Sequence, residues 1–203
     1  MAILTLTPPT PFVAADLELT KSHCNVDLDN TEDDALLASY VNAAFEMLEG
    51  PSGYLGRFVR PATAKWTSDC FRNGLLIDMA PIRTLTEIGY FDHEATPQVL
   101  STDVFYTARM PSGFETLWTK TDQVWPRTDR RIDAVSVTAE VGYDTVPDRI
   151  MLAVNLTVAE WYDARGALAD ERFNIPHTAL RLLQPFRTNI IGATARMRME
   201  AGA

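Results

Sequence analysis

Val135-Ser136-Val137-Thr138-Ala139-Glu140-Val141-Gly142-Tyr143-Asp144-Thr145-Val146-Pro147-Asp148-Arg149-Ile150 changes period at its middle. Its first seven residues alternate apolar with polar, the period of two that a strand with one buried face requires. Gly142 interrupts the pattern. After Pro147, a favourable first-turn residue, Ile150, Val154, Val158 and Trp161 recur at three- and four-residue spacing, which predicts an amphipathic helix running to Gly166. A one-sided strand leading directly into a one-sided helix is the grammar of an α+β fold, in which the helix covers what the sheet leaves apolar.

Upstream, from about residue 57 to 143, short apolar runs separated by turn residues predict an antiparallel β region, with strands at Ala64 to Phe71, Thr84 to Phe91 and Val104 to Ala108 and turns at Asn73-Gly74 and Pro111-Ser112-Gly113. Before it lies the strongest helical period, residues 31 to 49, with Leu37, Val41, Ala44, Phe45 and Leu48 on one face, Thr31 placed to cap with Asp34, and Gly50-Pro51 to stop it. Residues 14 to 23 suit a short helix, and Pro176 to Leu183 a last one. The proline-rich opening reads as an extended or irregular arm. The expected class is therefore α+β, amphipathic helices flanking an antiparallel β region, with a body at 1–187 and a flexible interaction tail at 188–203.

At 203 residues and 46% hydrophobic composition the chain can hide about 70% of its unfolded surface in one main core. The net charge of −9 has the wrong sign for general affinity to phosphate backbones. Charge inverts along the chain: residues 1–60 hold 3 basic and 9 acidic groups, residues 181–203 hold 4 and 1. Cys24 and Cys70 form neither a zinc pattern nor a disulfide framework, which fits a reducing compartment. Met1 to Thr10 lacks the basic lead of a secretion signal, and the apolar stretch Ile150 to Tyr162 is interrupted by Asn155, Thr157 and Glu160 and falls short of the roughly 20 residues of a membrane span.

Catalytic and metal patterns fail one by one. Read as a calcium loop from Asp27 and Asp29, the acidic run places Glu32 where glycine is needed and Ala38 where the bidentate glutamate belongs. His23 and Cys24 are sequence neighbours whose side chains diverge. His23, His93 and His177 contain no i, i+4 pair, and no dinucleotide, phosphate-loop or nucleophile-elbow motif occurs. Asp92 and Glu94 read as turn solvation, the Asn155-Leu156-Thr157 sequon lies in a predicted helix, and Trp66, Trp118, Trp125 and Trp161 read as core or interface anchors. The expectation is a protein without catalytic, cofactor or metal site.

Three segments together resemble the head-tail connector, or adaptor, proteins of tailed phages and phage-like gene transfer agents. These are the acidic lead into the helix at 31–49; the proline-led stretch Pro81-Ile82-Arg83-Thr84-Leu85-Thr86-Glu87-Ile88-Gly89-Tyr90-Phe91-Asp92; and Val135 to Tyr143 with Val146-Pro147, Ile150, Ala153 and Trp161-Tyr162-Asp163-Ala164-Arg165. Ala179, Leu180, Leu183, Pro185 and Arg187 resemble the family's closing helix and its Pro-x-Arg end. The similarity covers about residues 12–187, and departs from the pattern in a longer 95–133 segment and in Asp163, where glutamate is common. What the resemblance implies is a non-enzymatic ring, usually of twelve subunits, made in the bacterial cytoplasm and built into the virion or particle neck beneath the portal protein. It would join capsid to tail, contact a stopper or tail protein, and let DNA pass without sequence-specific binding and without a membrane partner. The tail, through Ile190, Ile191, Arg196, Met197, Arg198 and Met199, would then reach the portal. The rival readings are another neck or tail component, such as a stopper or tail terminator, and a small enzyme.

Overall fold

The computed structural model describes residues 2–13, 17–110, 113–164 and 174–188. Element order is β1 (Ala2–Thr7), α1 (Glu18–His23), α2 (Asp34–Leu48), β2 (Ala62–Ser68), β3 (Leu75–Ile77), β4 (Ile82–Phe91), β5 (Pro97–Val99), β6 (Phe105–Arg109), β7 (Glu115–Thr119), β8 (Val135–Val141), α3 (Asp148–Asp163) and α4 (His177–Leu183), followed by a 3-10 turn at Gln184–Phe186. The class is α+β, as the period change at Gly142 predicts. The chain divides into two compact units: a β unit of residues 1–9, 57–144 and 188–203, and a helical unit of residues 10–56 and 145–187.

In the β unit, a five-stranded antiparallel sheet has the order β1-β2-β8-β4-β5 and a three-stranded one the order β3-β7-β6. The quoted strand β8 is the middle of the larger sheet. Val135, Val137, Ala139 and Val141 are fully buried, while Ser136, Thr138 and Glu140 point to the opposite, polar face. β4 carries its apolar residues Ile82, Leu85 and Ile88 three apart, a spacing that would send alternate ones to opposite faces of a regular strand. Register shifts between Ile82 and Thr84 and between Leu85 and Glu87 correct this, so that the three stand opposite Val141, Ala139 and Val137. Trp66, Ile77, Met79, Ile88 and Leu117 fill the space these strands enclose.

Gly142 ends β8 at φ +94°, and a Cβ there would lie 2.2 Å from the Arg60 carbonyl oxygen, so the close crossing of these two segments needs glycine. The amides of Gly142 and Tyr143 then donate to the Pro81 and Val59 carbonyls (3.0 and 2.9 Å). The extra length of 95–133 has a structural use: it supplies β5 to the larger sheet and both β6 and β7 to the smaller. The excursion after β7 is pinned where Trp125 stacks on Phe71 (centroids 4.9 Å apart) and donates to Asn73 Oδ1 at 3.0 Å.

The opening residues, expected as an extended or irregular arm, are extended and pair as an edge strand, β1, with a register shift between Thr5 and Thr7 just before Pro8 and Pro9. One expectation requires correction here. Thr31 does not cap α2: the helix starts at Asp34 with Asp33 as its N-cap and no side-chain cap bond.

In the helical unit α2 packs on α3, and Leu37, Val41, Phe45, Val154, Val158 and Trp161 are all buried. Phe12 stacks on Phe45 (5.1 Å, 9°), and the Phe12 backbone exchanges hydrogen bonds with the Asn42 side chain at 3.0 and 3.2 Å. Pro147 is the N-cap of α3, Pro176 that of α4, and the Trp161 indole N–H donates to the Asn174 carbonyl at 3.1 Å. No helix among the described residues is long and apolar enough to cross a membrane.

Candidate functional site

The acidic run does surround a cation, and it is a side chain of the protein. Lys21 on α1 is 5% exposed. Its Nζ donates to the carbonyls of Leu28 (3.1 Å) and Asn30 (2.8 Å) and forms an ion pair with the Asp34 carboxylate 2.6 Å away. Asp33 accepts a hydrogen bond from the Tyr162 hydroxyl at 2.5 Å. Asp27, Asp29 and Glu32 stay exposed. The motif reading overlooked Lys21, although a signal existed: it is the only Lys or Arg in the first 56 residues, facing nine acids.

The remaining tested residues take structural parts. Burial, aided by the nearby Asp163 charge, pushes the Cys24 thiol up to about 11, far from a nucleophile's range. Asp92 accepts from the amides of Glu94 and Thr96 (both 3.0 Å) and from Gln98 Nε2 (3.1 Å), which holds its carboxyl below the usual range, the Thr96 amide contributing most. His93 sits 3.7 Å from Glu94 on an exposed turn. Within the sequon, Asn155 and Thr157 are both buried, and Asn155 Oδ1 accepts from the Thr20 hydroxyl at 2.8 Å. Trp66 and Trp161 are core residues, whereas Trp118 is 37% exposed. No three His, Cys, Asp or Glu side chains converge on a common point among the described residues. Ile190, Ile191, Arg196, Met197, Arg198 and Met199 lie outside the described residues.

What the arrangement offers to other molecules is surface. The two sheets of the β unit have four outer strands. β5 and β3 are three residues each, β5 begins with a proline that lacks an N–H, and β3 is buried throughout. β1 and β6 are longer, with six and five residues, and expose large apolar groups: Leu4 at 61%, Leu6 at 48% and Tyr106 at 47%. The two units also differ in charge. The helical unit has 6 basic and 14 acidic residues, net −8, and the β unit 12 and 13, net −1.

No protein-family model matches the sequence, and no curated protein matches it. Among solved structures, the chain is similar to one from "Virion of native gene transfer agent (GTA) particle", with TM-score 0.70, 18% identity, and coverage of 93% of this chain and 96% of that one. It is similar to chains from "Neck of empty GTA particle computed with C6 symmetry" and "Neck of native GTA particle computed with C12 symmetry" at TM-scores 0.68 and 0.67, with the same identity and coverage. At 18% identity the likeness establishes a shared fold running through nearly the whole of each chain.

Proposed function

We propose that this protein is a structural neck component of a phage-like particle, specifically the head-tail adaptor: a ring, twelve-fold in the particle, seated beneath the portal, joining head to tail and passing DNA. One observation carries the reading. The fold is shared over 93% of this chain and 96% of the matched chains from gene transfer agent particles, two of them from necks computed with cyclic symmetry. Long helices α2 and α3, of 15 and 16 residues, favour an adaptor over a sheet-dominated stopper or tail terminator. The polar groups that might have served an enzyme are instead spent on Lys21, the Asp92 turn and the buried Thr20–Asn155 pair.

Charge supports passage of DNA. Twelve copies at −9 each carry −108 formal charge, a field that keeps a polyanion moving instead of binding it. Contact with the portal falls to the segment 188–203, where Ile190, Ile191, Met197 and Met199 supply apolar area and Arg196 and Arg198 set register and rate. The stopper or tail protein meets the opposite side of the ring.

The test is assembly. Deleting 188–203 should leave the melting temperature of the body unchanged and abolish capture by portal-bearing heads, and the Ile190→Asp, Ile191→Asp pair should reduce capture more than neutralising both arginines. Full capture of the truncated protein refutes the tail contact. Images of particle necks at subunit resolution that lack this chain refute the neck role itself.

A further inference from the structure

We infer that copies of this protein join through their sheet edges, β1 of one copy pairing with β6 of the next. The inference rests on the ring reading above, since a cyclic ring needs a head-to-tail contact between two different surfaces of the same chain.

The β unit contains one such pair. An exposed sheet edge is normally blunted by shortness, proline, charge or burial. β5 uses shortness and Pro97, and β3 uses shortness and burial. β1, Ala2–Thr7, has neither proline nor charge, keeps regular register over Ala2–Thr5 before a shift between Thr5 and Thr7, and among the described residues pairs only with β2. On β6, the flanking bonds from Lys120 N–H to the Val104 carbonyl (2.9 Å) and from Met110 N–H to the Phe114 carbonyl (2.8 Å) set the even-numbered residues toward β7. Phe105, Thr107 and Arg109 therefore turn their backbone groups away from the sheet. A groove runs beside that edge, lined by Ile82, Leu85 and Thr107 and closed at one end where Arg109 donates to the Ile82 carbonyl at 2.9 Å.

The side chains match as well. Leu4 stands opposite Lys65 on the polar face of its sheet, an exposed leucine without an apolar neighbour across the strand pair. Tyr106 stands opposite Trp118, and both are more than a third exposed. Pairing β1 with β6 of the next copy brings Leu4 to this aromatic pair while satisfying two rows of backbone groups. Each copy then uses one edge toward each neighbour, the head-to-tail pattern that a cyclic ring requires.

Oxidative cross-linking of the full chain tests this. In a Cys70→Ser background, the Leu4→Cys, Tyr106→Cys protein should give a ladder of disulfide-linked chains at least tenfold stronger than Leu4→Cys, Val99→Cys, which pairs β1 with the blunted edge. All the replaced side chains but Cys70 are exposed, and unchanged melts check that both variants fold. Electron microscopy of the unaltered protein is read alongside. Rings without the β1–β6 ladder, or equal ladders in the two variants, overturn the edge contact and leave the neck reading intact. A ladder without rings supports the contact and counts against the ring. Neither ladder nor rings overturns both.

Discussion

Fourteen acidic and six basic residues fall in the helical unit, while the β unit divides thirteen against twelve. The two units also bury polar groups differently. In the helical unit an ammonium, a carboxylate and two carbonyls form a closed set at Lys21, and Thr20 and Asn155 pair beside it. The β unit sets Arg60, Ser68, Glu115 and Thr116 singly around a core of Trp66, Ile77, Met79, Ile88 and Leu117, with Glu115 paired to Arg109 at 2.8 Å, and its register is fixed by bulges and by Gly142. The helical unit is thus held in one arrangement by a local ionic tie, the β unit by backbone geometry at long sequence separation. The difference also shows at the surface: the helical unit is strongly acidic, and the β unit is nearly neutral with strand edges exposed among its described residues.

The largest effect is expected where the helical unit's core is cut. Phe45, fully buried and stacked on Phe12, loses both contacts in Phe45→Ala, which should cost about 3–5 kcal/mol. A melt followed at 222 nm measures it, and an unchanged transition would contradict the packing of α2 on α3.

Lys21→Met comes next and asks whether the ionic tie does what the comparison assigns to it. Removing one partner leaves Asp34 as an uncompensated, mostly buried charge, a loss of about 3 kcal/mol or more. Lys21→Met with Asp34→Leu should recover much of that, because an apolar pair replaces the ionic one. Chemical denaturation of four proteins, the native one, Lys21→Met, Asp34→Leu and the double variant, gives the coupling. Additive effects of the two substitutions would remove the tie from the account.

In the β unit the equivalent cut is Gly142→Ala. A left-handed φ of +94° and a Cβ at 2.2 Å from the Arg60 carbonyl oxygen together should cost about 2–3 kcal/mol. A stability within 0.5 kcal/mol of the native protein would mean that the crossing of 60–61 with 142–143 relaxes freely.

These three sites differ in how far the sequence reveals them. The stripe Leu37-Val41-Phe45 and the stripe Ile150-Val154-Val158-Trp161 are legible because a helix is satisfied within itself and its period is local. β8 is legible for the same reason, its alternation being complete in seven residues. The strands that escaped, β1, β3, β5 and β7, are only three to six residues long, too short to show a period; β1 and β3 pair with partners about 40 or more residues away, whereas β5 and β7 close hairpins on β4 and β6. β4 was seen but not its start: apolar residues three apart make a poor strand until the bulges after Ile82 and Leu85 are known. Lys21 stands out in the sequence as a lone cation among nine acids, but its partners, the Leu28 and Asn30 carbonyls, are defined only once α1 is placed beside the turn at 28–30. The open edges belong to the same class of information, since an edge is defined by what fails to pair with it.

The smallest effect separates the units most finely. Asp78 follows β3 between the buried Ile77 and Met79, and burial pushes its carboxyl above the usual range. Unlike Asp34, it has no ion pair among the described residues. A carboxyl whose pKa is raised by folding contributes stability that is full below its unfolded value, about 3.9, and that is lost as pH rises through the folded value. At pH 7 the ionised Asp78 therefore costs the β unit stability, and Asp78→Asn, of equal size and without charge, should raise the melting temperature. The gain should shrink toward zero at pH 3.5, where the aspartate is itself protonated. Melts of both proteins at the two pH values decide the matter: an equal gain at each pH would trace it to packing, and a loss at pH 7 would mean that the carboxylate has a partner worth keeping.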